Sequence, residues 1–252
     1  MQHYFINNNQ INLETNNVTI VDGDAHHIAN VMRMRIGDHI VVCNSEKFYE
    51  VRLESITQNE CNGSIIKKLD SDTELKVEVT IAQGMVKLNK QEEVIEKITQ
   101  LGASKYISVD MERSNVKNSS ERMEKKQQRL EKIVKEASEQ SHRLKLLEVM
   151  GHMTFKEFLN YAKNYDLKVV LNLTNNDENT ITINKIKEMK NKRVLFLIGP
   201  EGGISENECH VLQKAGFYTL TVGPRVLRTE VAPLYVMSMV GVFFDLEEQN
   251  EI

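Results

Sequence analysis

Two short stretches near the C-terminus constrain this chain more than anything else in it. Gly199-Pro200-Glu201-Gly202-Gly203 follows the apolar run Val194–Ile198, and Gly223-Pro224-Arg225 follows Tyr218–Val222. The whole sequence of 252 residues holds only three prolines, and two of them sit in these matching loops. Each loop is followed by a helix signal. Ser205 with Glu208 reads as a capping box, and Thr229-Glu230 opens the last apolar helix. Two strand–loop–helix units side by side belong to an open α/β sheet, whose ligand crevice lies beyond the carboxyl ends of its strands. The active site is expected there.

The rest of the chain fits that class. Strand and helix patterns alternate from Val77 onward: a strand to Ala82, a helix over Gln91–Leu101, a strand over Tyr106–Val109 and a long helix over Arg122–Ser141. Thr154–Ala162 reads as a helix and Lys168–Leu173 as a strand. Such alternation predicts a mainly parallel sheet covered on both faces. The first seventy or so residues differ, reading as short strands and turns with a helical segment near Asp24–Met34. They suggest a small barrel-like module. The polar run Leu69–Glu74 is the expected linker, giving domains over 1–72 and 73–252.

Composition narrows the function. A hydrophobic fraction of 40% with 27% charged residues is that of an ordinary soluble globular protein. No signal segment opens the chain, and Val231–Leu246 is interrupted and too short to span a bilayer, so a cytoplasmic protein without a membrane partner is expected. Cys43, Cys61 and Cys209 are scattered, as reduced buried thiols would be. His26 and His27 point apart on a helix and complete no Cys/His set, so no metal is expected. A net charge of −4 argues against dense non-specific nucleic-acid binding, while leaving room for a local basic patch.

The loops suit a ligand whose polar atoms meet backbone amides, although a tight βα turn would need the same glycines. Neither a phosphate-cradling Gly-Lys-Ser/Thr nor a GxGxxG pattern is present. Arg225 and Arg228 stand at the mouth of the expected crevice, where a guanidinium fork would bind an anion, or pair with Glu201 or Glu230. Glu136–Arg143 could reach into a cleft or be a solvated helix end, and Lys87, Lys90, Arg113 and Lys117 follow the first two parallel strands. Arg33 and Arg35 suit an RNA backbone or a solvated face. No Ser/His/Asp or Cys/His arrangement supports a covalent nucleophile.

Taken together, Leu197–Ser205 and Val222–Glu230, with glycines 24 residues apart (223 − 199), resemble the signature loops of RsmE-type 16S ribosomal RNA (uracil-N3)-methyltransferases of the SPOUT class. His26–Arg33 with Gly37-Asp38 resembles that family's PUA-like module, and Lys97–Ala103 and Glu136–Arg143 resemble its middle motifs. The resemblance implies a C-terminal SPOUT domain with a trefoil knot, a small N-terminal PUA-like β-barrel and a homodimer. It implies methyl transfer from S-adenosyl-L-methionine to N3 of a uridine in the small ribosomal subunit, in rRNA processing and ribosome biogenesis.

On that resemblance, Arg228 and Glu201 are the catalytic candidates. The cofactor would be held by Leu173, Ile198, Gly199, Pro200, Gly202, Gly203, Val222, Gly223, Val226 and Leu227. RNA would be met by Arg33, Arg35, Lys87, Arg113, Arg143 and Arg225. His3, His142 and Val231 depart from the family's usual arginine, glycine and threonine. Two other readings stand beside this one: a SPOUT enzyme acting on tRNA or on a ribose hydroxyl, and an RNA-binding assembly factor that kept the fold without the chemistry.

Overall fold

The structure, a computed structural model, describes residues 1–114, 123–171, 180–182 and 184–246. The chain divides into two compact units: Met1–Glu74 with Ser138–Leu146, and Leu75–Ala137 with Leu147–Ile252.

The first unit is built on one six-stranded sheet. Its strands are β1 (His3–Phe5), β2 (Ile11–Asn12), β3 (Asn17–Val21), β4 (His39–Cys43), β5 (Phe48–Ile56) and β6 (Glu60–Leu69), in the order β1-β4-β5-β6-β3-β2. Only the β1–β4 pair is parallel. A short helix α1 (Asp22–His26) runs into a wide helical turn over His27–Val31. Ala25 and Ile28 from these turns pack with Ile20, Ile40, Val51 and Leu53 to form the core.

Two features of this unit carry consequences. Arg143 is only 3% exposed, and its guanidinium is held by the Glu74 carboxylate at 2.5 Å. The same carboxylate accepts the Leu144 and Lys145 backbone N–H groups at 2.9 and 3.0 Å. Arg143 was expected to meet RNA; here its charge is buried in a structural ion pair. Removing one partner of such a pair strands the other charge without solvent, which costs ~3–5 kcal/mol. Glu74→Ala should therefore lower the denaturant midpoint far more than a typical surface substitution does.

The second feature is a stacked pair, the His3 and His142 rings lying 3.8 Å apart at an angle of 8°. His142 adopts φ +56°, a backbone region a glycine occupies without strain. Burial first, then His142 and the terminal ammonium, push the His3 pKa down to about 4. The unfolded chain takes up this proton near 6.5, so between about 6.5 and 4 the unfolded state binds more protons. Stability contributed by neutral His3 is full above that window and is lost as pH falls through it. Thermal melts should show Tm dropping across it, with a shallower drop in His3→Phe.

The second unit contains a six-stranded sheet in which every pairing is parallel. Its strands are β7 (Glu78–Gly84), β8 (Lys105–Asp110), β9 (Glu148–Thr154), β10 (Leu167–Leu171), β11 (Arg193–Ile198) and β12 (Tyr218–Leu220). Their order is β12-β10-β11-β7-β8-β9. Helices α2 (Leu88–Gln100), α3 (Met123–Gln140), α4 (Phe155–Tyr161), α5 (Asn184–Lys187), α6 (Glu206–Lys214) and α7 (Ala232–Gly241) complete it.

Side chains alternate across each strand. In β11, Val194, Phe196 and Ile198 join the core beneath α2, α3 and α7, while Leu195 and Leu197 join the core beneath α4 and α6. Both faces are thus covered, which is why the strands read as continuous apolar runs. Among the described residues, no helix is long and apolar enough to cross a membrane.

Candidate functional site

Parallel pairing brings the carboxyl ends of the central strands nearly level. Ile198 of β11 pairs with Gln83 of β7, and Leu171 of β10 pairs with Leu220 of β12. The loops that leave these ends therefore emerge together. In the first loop, the Gly203 N–H donates to the Pro200 carbonyl at 2.9 Å, and Gly203 takes φ +73°. Ser205 then caps α6: its hydroxyl accepts the Glu208 N–H at 3.2 Å, and Glu208 returns to the Ser205 N–H at 3.0 Å. In the second loop Gly223 turns the chain at φ +97°.

Thr229 was expected to open the last helix. Instead α7 begins at Ala232, after a turn in which the Ala232 N–H donates to the Arg228 carbonyl at 3.0 Å. The Thr229 hydroxyl is used elsewhere, donating to the Gly199 carbonyl at 2.7 Å and so tying the second loop to the first.

Between the loops lies a cavity of about 430 Å³. Ligand sites for small molecules span roughly 300–1,000 Å³ and are largely apolar with a few placed polar groups. Of the residues expected around a cofactor, Ile198, Gly199, Pro200, Gly203, Val222, Val226 and Leu227 line it. Gly202 and Gly223 shape the loops without lining the cavity; a Cβ on Gly202 would stand 2.9 Å from Arg113 Cβ. Leu173 lies outside the described residues, as does Lys117, while Leu171 supplies part of the wall.

Both catalytic candidates line the cavity too. Glu201 sits 3.3 Å from Lys90 Nζ, and Lys90 is also 3.3 Å from Glu230. Arg228 is 84% exposed and only reaches Glu230 at 4.0 Å. Burial by itself would raise the Glu230 pKa, but its own backbone N–H, Lys90 and Arg228 outweigh that and hold it below the ordinary carboxylate range. Lys90 faces the same competition. Burial would lower its pKa, yet Glu201 and Glu230 raise it. The site thus holds an ammonium fixed between two carboxylates, with the exposed Arg228 guanidinium at the rim, within reach of Glu230.

The sequence places Lys90 after the first parallel strand, where a side chain could face the crevice or be ordinary surface charge. It lines the cavity from the first turn of α2, just beyond the carboxyl end of β7. Arg225 lines the cavity as well. Arg33, Arg35, Lys87 and Arg113 are exposed, and Arg113 Nη1 donates to the Gly202 carbonyl at 3.3 Å. Arg33 and Arg35 belong to the first unit, so the expected RNA contacts are spread over both.

The chain resembles known proteins along nearly its whole length. Residues 73–241 match the family model of an RNA methyltransferase domain, and residues 20–66 match an RNA methyltransferase PUA domain. Ribosomal RNA small subunit methyltransferase E of Bacillus subtilis is 35% identical over 248 residues, which is 96% of this chain and 96% of that protein. The chain belongs to the ribosomal RNA small subunit methyltransferase E family.

Its relative of the same name from Mesomycoplasma hyopneumoniae is 29% identical, over 94% of this chain and 98% of the other. The methyltransferase E of Neisseria gonorrhoeae, whose crystal structure is bound to S-adenosyl methionine, superposes with a TM-score of 0.85 at 25% identity, covering 97% of this chain and 98% of that one. The cavity here fits such a molecule chemically. Leu171, Ile198, Val222 and Leu227 offer apolar walls for a purine ring, loop backbone offers polar partners for its edge, and Glu230 is a carboxylate for a cationic group. Among the described residues, no cluster of His, Cys, Asp and Glu could hold a metal ion.

Proposed function

We propose that this chain methylates N3 of one uridine in the 16S rRNA of the small ribosomal subunit, at the cavity where the two Gly-Pro loops meet. The observation that carries the reading is Arg228, 84% exposed at the rim of that cavity and paired with Glu230 only at 4.0 Å, on the loop that Thr229 fastens to Gly199. When bound, S-adenosylmethionine supplies an activated methyl group, which removes any need for a covalent nucleophile on the enzyme. The enzyme's share of the work is electrostatic. Loss of the weakly acidic N3 proton leaves negative charge on the flanking uracil oxygens, and the Arg228 guanidinium stabilises that charge as it develops. Glu201, held by Lys90 at 3.3 Å, accepts the proton or orients the base.

The family resemblance supports a trefoil knot in the second unit and a homodimer. For the dimer, the exposed apolar side chains Val226, Val231, Tyr235 and Val242 offer a surface a second copy would cover. We take residues 1–72 as the RNA-contacting module, with Arg33 and Arg35 on the phosphate backbone, and 73–252 as the methyltransferase domain in a cytoplasmic enzyme.

The test is methyl transfer from labelled S-adenosylmethionine to unmodified small subunits and, separately, to naked rRNA, with nucleoside mass spectrometry of the product. N3-methyluridine is expected. A net charge of −4 gives little counterion-release affinity, so assembled subunits should be the better substrate. Ribose methylation would move the reading to another SPOUT reaction. No transfer by folded protein would favour the assembly-factor reading.

A further inference from the structure

Gln83 is a fully buried amide near the carboxyl end of the central strand β7, and it does not line the cavity. Its Nε2 donates to the Thr229 carbonyl at 2.7 Å and to the Thr229 hydroxyl at 3.1 Å. Its Oε1 accepts the Tyr106 hydroxyl at 2.9 Å. The Thr229 hydroxyl has one proton, given to the Gly199 carbonyl at 2.7 Å, so toward Gln83 it can only accept. This fixes the direction of the whole chain of bonds, Tyr106 to Gln83 to Thr229 to Gly199, and with it the orientation of the amide. Burial raises the Tyr106 pKa, so the phenol remains a donor.

We propose that Gln83 is a positioning residue for methyl transfer: it locks Thr229 onto Gly199 and thereby sets the spacing of the two Gly-Pro loops and the aim of the adjacent Arg228. The inference rests on the function proposed above. Its physical basis is that Thr229 is buried and Gln83 supplies a donor to both its carbonyl and its hydroxyl. A buried acceptor that loses its donor has no solvent to turn to, so the loop must move to satisfy it. Tyr106 pins the far end of the amide and prevents Gln83 from turning to other partners.

Gln83→Leu keeps the bulk of the side chain and removes both bonds to Thr229 together with the one accepted from Tyr106. Calorimetry with S-adenosylmethionine should show affinity about tenfold weaker, the worth of one such hydrogen bond. Steady-state methyl transfer should show kcat down roughly a hundredfold through misaligned geometry, with the KM for small subunits little changed. Thr229→Val should reproduce both losses, and Thr229→Ser should recover most of what Thr229→Val loses, since it restores the hydroxyl. This pair decides the matter if Gln83→Leu does not fold. A residue that only supports the fold would lower Tm while leaving kcat and cofactor affinity of the folded protein unchanged; that outcome overturns the proposal. Equal behaviour of Thr229→Val and Thr229→Ser also overturns it. If the wild-type protein itself binds no S-adenosylmethionine, the reading of the site fails instead.

Discussion

Arg228→Ala should lower kcat for methyl transfer by ~10²–10³-fold, the size of effect seen when a single donor to a developing negative charge is removed. Cofactor affinity and stability should hardly change, for reasons visible in the site. The Arg228 side chain is 84% exposed, and its nearest carboxylate, on Glu230, lies 4.0 Å away. Lys90 reaches that same carboxylate at 3.3 Å, so deleting the guanidinium strands no buried charge. Exposed pairs of this kind contribute about 0–1 kcal/mol. The loss must then appear in the chemical step. Arg228→Lys should recover only part of it, because an ammonium cannot present the planar fork that spans two acceptors. Wild-type kcat in Arg228→Ala, measured on small subunits with saturating S-adenosylmethionine, would end the catalytic role given to this residue.

The same residues show how far the sequence could be read. The Gly-Pro loops, the Ser205 cap and the parallel sheet were legible because each is local: an apolar run, a turn residue and a capping pair lie within a few positions of one another. β9 was not foreseen. It is an edge strand over Glu148–Thr154, only half-buried, with Gly151 in its middle, so it shows neither an apolar run nor clean alternation. Thr229 was misread for a related reason. A threonine before an apolar helix is a good capping signal, but its hydroxyl is taken by a carbonyl thirty positions away in sequence. Arg143 and Glu74 are separated by 69 residues, Gln83 and Thr229 by 146. Long-range pairs leave no periodic trace: the place of Lys90 after β7 was legible, but its pairing with both Glu201 and Glu230 was not.

Gly84→Ala should damage both stability and cofactor binding, although Gly84 does not line the cavity. Gly84 ends β7, and the register that pairs Gln83 with Ile198 sets it beside Pro200 in the first loop. A Cβ here would stand 2.4 Å from Pro200 Cδ, 2.5 Å from Pro200 N and 3.1 Å from Met111 Sδ. Ordinary contact begins near 3.4 Å, so one side must move by about 1 Å (3.4 − 2.4). Neither side yields easily. Gly84 is held in the sheet through its pairing with Val109, and Pro200 is a buried ring with fixed φ. Overpacking of this kind costs ~1–3 kcal/mol. The loop is the weaker partner, and its displacement would pull the Gly199 carbonyl from Thr229 and Glu201 from Lys90, at the two points that shape the cavity. A misplacement of about 1 Å costs roughly a hundredfold in rate. Calorimetry should accordingly find S-adenosylmethionine binding weakened at least about tenfold, beside a fall in Tm. Gly23→Ala is the control: a Cβ there meets nothing within 4 Å, and in helix α1 alanine is the better residue. If Gly84→Ala kept the Tm and cofactor affinity of the wild type, the contact between β7 and the first Gly-Pro loop would not be what holds the site in shape.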